Sequence, residues 1–159
     1  MVENFKKKYF QHLLDYLKNN YTNDFYLTES NKRIPVRDEK LLKKLFNQST
    51  GIKFLEENGD VIGIILLWKS LGNNLPRYYI KLTANSVHAA KQLLTVLLWN
   101  ENRNLFIKIR KDSPFIRVFK EKGFIFSGDR GKEILFFLNN RLRTKNDKPF
   151  NENKEFTER

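Results

Sequence analysis

The run from Asp112 to Asn139, D-S-P-F-I-R-V-F-K-E-K-G-F-I-F-S-G-D-R-G-K-E-I-L-F-F-L-N, constrains the fold more than any other stretch. Asp112 or Ser113 can cap a short helix. Pro114 can open it, because the first helical residue needs no N–H donor. Phe115, Val118 and Phe119 fall at i, i+3 and i+4 and give that helix one apolar face. Gly123 follows the last turn, where a left-handed residue stops a helix. Strand formers then fill Phe124 to Phe126 and Ile134 to Leu138. Gly128-Asp129-Arg130-Gly131 lies between them as a hairpin connection.

The rest of the chain supplies partners for this unit. Val2 to Asn20 reads as an amphipathic helix, with Phe5, Tyr9, Leu13, Tyr16 and Leu17 near the helical period. Asp24 to Thr28 reads as a first strand, Ser30 to Arg33 as a loop, and Pro35 as a break. Asp38 caps a helix to Asn47 whose apolar stripe is Leu41, Leu42, Leu45 and Phe46. Its Lys40, Lys43 and Lys44 form a solvated face or a basic binding face. Gly51 to Glu57 and Val61 to Lys69 make a hairpin around Asn58-Gly59-Asp60. The second run is apolar on both alternating faces, as a central strand requires, and Gly63 within it marks a bulge or a close backbone approach. Ser70 to Pro76 reads as a polar loop.

Arg77 to Thr83 is the next strand, with Arg77, Tyr79 and Lys81 on one face and Tyr78, Ile80 and Leu82 on the other. Ala84-Asn85-Ser86 opens the longest apolar helix, running to about Asn100. Val87, Ala90, Leu94, Leu97 and Leu98 face one way; His88, Lys91, Gln92, Thr95 and Trp99 lie toward the other. Leu105 to Ile109 is a strand. The expected architecture is a mixed sheet with helices on both faces, in an α/β (α+β) domain spanning residues 1–140. Residues 141–159 form a polar tail expected to be mobile.

Composition excludes several chemistries. There is no cysteine, so disulfides and thiolate metal sites are out, and two histidines leave little scope for a histidine metal site. The longest nearly uncharged run, Val61 to Trp68, is too short to span a bilayer. The N-terminus does not lead into an apolar signal segment, so a cytoplasmic protein with no membrane partner is expected. Net charge is +12, and from Glu101 to Lys145 there are 12 Lys or Arg against 5 Asp or Glu. Such a surplus suits a polyanion or phosphate-rich partner, or is simply a solvated lysine-rich surface.

R-V-F-K-E-K-G-F, Arg117 to Phe124, resembles the closing section of the GNAT acetyltransferase superfamily, which often reads L-Y-E-K-x-G-F before the last two strands. The resemblance covers roughly Phe25 to Asn139. It implies a GNAT-like, mostly antiparallel central sheet. It also implies that the strand before the long helix splays from its neighbour and that acyl-CoA lies in the gap. The pyrophosphate would rest on N–H groups at the helix start, where unpaired donors and the positive dipole end face the ligand. Aligning the family motif R/Q-x-x-G-x-G/A through Leu93 and Leu94 places Asn85, His88 and Ala90 at its three positions. Ala90 fits; Asn85 stands for Arg or Gln, and His88 for the first glycine.

By resemblance the cofactor-binding residues are Leu82, Thr83, Asn85, Ser86, His88, Ala90, Lys91 and Asp112. His88 would contact an anion or be a plain surface residue; Asp112 would support the site or cap the helix. The position of the family's tyrosine acid is Phe119, which has no proton to give and reads as core. Tyr78 or Tyr79 is left as a substitute. No carboxylate on Arg77 to Thr83 offers a base, and Glu56, Glu57 and Asp60 sit at a turn where charge is expected anyway.

Three functions follow. The first is an acyl-CoA-dependent N-acyltransferase using acetyl-CoA or another acyl-CoA on a small-molecule or protein amine. The second is a GNAT-like protein that binds or modifies nucleic acid, as in small phage-type relatives including Mom-type proteins. There Lys108, Arg110, Lys111, Arg117, Lys120, Lys122, Arg130 and Lys132 would meet phosphates, and Tyr78, Tyr79 or Trp99 would stack a base. The third is an inactive interaction scaffold.

Overall fold

In the computed structural model, residues 2–4, 6–19, 25–29, 32–72, 75–99 and 101–140 are described. In chain order the elements are β1 (Val2–Asn4), α1 (Phe10–Asn19), β2 (Tyr26–Glu29), β3 (Lys32–Pro35), α2 (Glu39–Asn47), β4 (Ser49–Glu57) and β5 (Asp60–Gly72). Then come β6 (Leu75–Ala84), α3 (Val87–Trp99), β7 (Leu105–Arg110), α4 (Ile116–Glu121), β8 (Ile125–Arg130) and β9 (Glu133–Leu138). Seven strands form one sheet in the order β1-β4-β5-β6-β7-β9-β8, and β2 and β3 pair as a separate ribbon. All neighbours in the large sheet run antiparallel except β6 and β7.

The sheet separates two cores. Leu55, Ile65, Leu67, Ile80, Leu82, Ile107 and Phe136 pack under α3 and α4. Phe54, Val61, Ile64 and Leu66 pack under α1, α2 and the β2–β3 ribbon. β5 lies between β4 and β6, and Ile64 to Leu67 are sealed on both faces, as its unbroken apolar run demands. Gly63 is where α3 comes down on that strand. A Cβ there would stand 2.8 Å from Leu93 Cδ1 and 3.1 Å from Ala84 Cβ. Ile62 is skipped in the β4–β5 register beside it, so both the bulge and the close approach occur.

Local signals work where the side chain itself makes the bond. The Asp38 carboxylate accepts from Leu41 N at 2.8 Å and starts α2. Asn58 and Gly59 both take positive φ, 53° and 86°, and turn β4 into β5. Gly123, at φ 95°, ends the turn after α4.

Several expectations are corrected. Val2–Asn4 is a strand, not the start of a helix: it pairs with the open edge of β4, with Val2 opposite Leu55 and buried. Arg33 and Pro35 belong to β3 rather than to a loop and a break; residues 30–31 of that loop lie outside the described residues, as do Asp24 and the tail 141–159. Ser70–Gly72 and Leu75–Pro76 are paired strand, so β5 and β6 make a long hairpin where a polar loop was expected. The last hairpin turns at Gly131-Lys132, since Gly128, Asp129 and Arg130 still pair with β9 beyond a register shift. Asp112 does not cap α4. Arg110 takes its carboxylate in two hydrogen bonds, at 3.1 and 3.3 Å; Ser113 does not cap the helix either, since its Oγ accepts from the N–H of Phe115, the N-cap residue itself, and α4 starts at Ile116 rather than at Pro114. Val87 is 46% exposed, because it occupies the first turn of α3 before the helix reaches the sheet.

Candidate active site

Two strands that pair in parallel and then part make the site. β6 and β7 are in register only at Tyr78–Leu105 and Tyr79–Phe106. Beyond them Ile80–Ala84 and Ile107–Arg110 run on with no bridge between them, while each keeps its outer neighbour, β5 or β9. A split therefore opens inside the sheet, with peptide groups lining both edges.

A hollow lies on each face of this split. On the α3–α4 face, Ile80, Leu82, Ile107, Ile109, Ser113, Phe115 and Phe119 close around a narrow cavity of about 10 Å³. On the opposite face a cavity of about 160 Å³ is lined by Tyr26, Trp68, Ser70, Tyr79, Ile80, Lys81 and Lys108. Ile80 and Lys108 border both cavities, one on each face of the sheet.

The larger cavity has aromatic walls and a cationic floor. Trp68 and Tyr79 face each other across the β5–β6 register, with ring centroids 6.3 Å apart; Phe106 follows at 5.5 Å from Tyr79. Trp68 Nε1 donates to Gln48 Oε1 at 3.1 Å, which fixes the indole. Lys81 is only 6% exposed and holds its ammonium 4.0 Å from the Tyr26 ring and 4.9 Å from Trp68. Burial, followed by the nearby charges of Lys108 and Arg33, pushes its pKa down to about 7, against a smaller opposing pull from Glu133. Arg33 stacks on Tyr26 and is ion-paired with the buried carboxylate of Glu133. Lys108 is exposed at the rim, 5.4 Å over the Tyr79 ring.

The sequence-predicted residues fall at distinct places around the split. Leu82 lines its α3 side, and Phe119, fully buried and edge-on to Phe124 at 5.2 Å, blocks that side with a ring that carries no hydroxyl. Tyr79 faces the larger cavity. Tyr78 lies on the opposite sheet face, under the Arg103 guanidinium at 4.3 Å, so the two tyrosines do not share a site. Ser86 caps α3: its Oγ accepts from Ala89 N at 3.0 Å, while the first-turn N–H groups of Val87 and His88 precede any intrahelical partner. Ala90 is fully buried against the core, and His88 and Lys91 are exposed, with Lys91 Nζ 3.8 Å from Glu121. Asp112 is exposed and bound to Arg110, which holds its carboxyl below the usual range.

Asn85 is engaged in structure. Its N–H donates to Ile62 O at 2.9 Å, and its Oδ1 accepts from Tyr16 Oη at 3.1 Å. Tyr16, on α1, also bonds Thr83, so α1 braces the joint between β6 and α3. A shallow hollow of about 390 Å³ adjoins Asn85, but Asp15 and Asp60 line it and disfavour phosphate. Of the basic cluster, Lys111 is bound to Asp129 at 2.9 Å and Arg110 to Asp112.

Sequence reasoning missed Lys81, Tyr26, Trp68 and Ser70. The available signal was Lys81 itself: a lysine inside the strand run Y-I-K-L-T, on one face with Tyr79.

No protein-family model matches the chain, and no curated protein matches it in sequence. Solved structures do. A ribosomal-protein-alanine N-acetyltransferase from Brucella melitensis superposes with a TM-score of 0.64 at 12% identity, covering 86% of this chain and 96% of that one. An acetyltransferase of the GNAT family from Streptococcus pneumoniae gives 0.57 at 14% identity over 86% and 95%. A putative acetyltransferase from Salmonella typhimurium, solved with its cofactor acetyl-CoA, gives 0.60 at 16% identity over 86% and 90%.

Proposed function

The chain has the fold of the GNAT acetyltransferases, and from that premise we propose that it transfers an acyl group from acyl-CoA to an amine through the split between β6 and β7. The observation that carries this reading is the parting of the two strands after Tyr79 and Phe106, with cavities on both faces sharing Ile80 and Lys108. A split of this kind gives an extended, amide-containing ligand two rows of peptide groups to bind.

The residues present suit such a ligand in two respects. Ile80–Ala84 and Ile107–Ile109 have no bridge to each other across the split, and the first turn of α3 offers N–H donors to a phosphate. In a third respect the split is tight: the fully buried Phe119 lines its α3 side, where the cavity is only about 10 Å³. Bound acyl-CoA would supply a thioester whose C–S bond breaks as the amine nitrogen forms the C–N bond, the amine proton ending on the CoA sulfur. The chain's own part is to hold the two reactants across the split, which by itself removes much of the barrier to a bimolecular step. Backbone N–H groups of β6 would polarise the carbonyl. With Phe119 where a tyrosine acid would stand, the protein offers no protonated side chain at that position.

Calorimetric titration with acetyl-CoA, at low and at moderate salt, tests the reading. Saturable binding that survives moderate salt is expected. No binding at either salt would overturn it.

A further inference from the structure

The cavity of Tyr26, Trp68, Ser70, Tyr79, Lys81 and Lys108 opens on the sheet face away from α3, where the second reactant would approach. Its charge is lopsided. Arg33 and Glu133 are bound to each other, so their charges offset. That leaves Lys81 and Lys108, and among the described residues neither ammonium meets a carboxylate. Lys81 is nearly buried, and a buried cation without an anionic partner is costly. Its contacts with the faces of Tyr26 and Trp68 offset part of that cost. An oxygen anion in the cavity would make charge-assisted hydrogen bonds to the ammonium.

We propose that this cavity is the acceptor site and that it selects a small acceptor bearing an anionic oxygen group, carboxylate or phosphate. The group would be gripped by Lys81 and Lys108 while the rings of Tyr26, Trp68 and Tyr79 take the apolar body. Calling it the acceptor site rests on the transfer reading above; the anion site stands on the cavity alone.

Three arguments support this choice. A cationic acceptor would bring a further positive charge against Lys81 and Lys108 and be repelled. The same electropositive surroundings keep a bound amine in its free-base form, the form that can attack a carbonyl. The volume, about 160 Å³, suits a small molecule. Binding also has a signature. Lys81, with a pKa near 7, is largely neutral at pH 8, and an anion beside it draws a proton onto it. The groups facing Lys81 are Lys108 from β7, Arg33 from β3, Glu133 from β9 and the rings of Tyr26 and Trp68 from β2 and β5.

The test uses the full chain without acetyl-CoA, at pH 8, by calorimetry in two buffers of unlike ionisation enthalpy. The probes are 4-aminobenzoate, aniline as the same body without the carboxylate, and inorganic phosphate. Expected are saturable binding of 4-aminobenzoate at least tenfold tighter than aniline, and proton uptake on binding. Uptake disappears in Lys81→Met, and affinity falls several-fold in Lys108→Met, which alters only an exposed side chain. Phosphate binding alone would assign the phosphate form of the acceptor. Equal affinity for aniline and 4-aminobenzoate, absence of both anions from the site, or anion binding with unchanged proton uptake in Lys81→Met would overturn the proposal. Anion binding by a protein that ignores acetyl-CoA would overturn the transfer reading and leave the site. Acetyl transfer to uncharged amines in preference to acidic ones would overturn the anion selection and leave the transfer reading.

Discussion

Lys81 is the residue on which most of the site's chemistry turns, and it leaves a mark on stability. Its ordinary pKa of 10.5 in the unfolded chain drops to about 7 in the folded protein, chiefly by burial. Below pH 7 both states carry the proton, and the folded state bears the full cost of a buried charge. Between pH 7 and about 10.5 the unfolded state holds more protons, so stability from this group rises with pH. The gain is on the order of a few kcal/mol, reduced by the ring contacts. Urea unfolding of the protein and of Lys81→Met across that range checks it. The variant is expected to be the more stable at pH 6, with its advantage shrinking toward pH 10. A constant difference would mean that Lys81 keeps its proton in the fold. Such a residue is only half legible in sequence: alternation places it on one face with Tyr79, but its burial comes from Tyr26, a ribbon residue 55 positions away in the chain. Phe119 is the opposite case, since its helical spacing with Phe115 and its lack of a hydroxyl are both visible in the sequence.

At the scale of elements, Gly63 shows how tightly the split is supported. It lets α3 sit on β5 directly beside Ala84, the residue that leads out of β6. In Gly63→Ala the new methyl would meet Leu93 Cδ1, which can turn only within a sealed core, and Ala84 Cβ with Thr83 O, which cannot turn at all. A loss of about 1–3 kcal/mol is expected, as for overpacking generally. A chemical-denaturation midpoint measures it, and an unchanged midpoint would show that α3 floats on the sheet. Elements set by local chemistry were readable: the Asp38 cap, the Asn58-Gly59 turn, the Gly123 stop. Elements set by a distant partner were not. Val2–Asn4 is a strand because β4 offers it an edge, and Lys32–Pro35, read as a loop and a break, is a strand because β2 pairs with it. Pro35 is tolerated because it ends an edge strand. The splay of β6 and β7 came from the family resemblance alone, since no residue pattern announces where two parallel strands stop pairing.

For the molecule as a whole, the +12 charge acts in two ways that one experiment separates. Exposed pairs such as Glu39–Lys43 at 2.9 Å and Lys111–Asp129 at 2.9 Å contribute little against the general repulsion. Sodium chloride should therefore raise the melting temperature gradually, by screening like charges over the whole surface. Inorganic phosphate at the same ionic strength screens equally. If it also occupies the cavity of Lys81 and Lys108, it adds a term that saturates. At a concentration about tenfold above its dissociation constant that term is about 1.4 kcal/mol. For a chain of this length it corresponds to roughly 3–6 °C beyond the chloride effect. In Lys81→Met the excess should vanish while the chloride response stays, because one charge in a surplus of twelve changes screening little. An excess that persists in the variant would move phosphate to another site, of which the start of α3 is the first to test by repeating the titration with acetyl-CoA present. Equal responses to the two salts would make the positive surplus a diffuse surface property and leave the cavity without an anion.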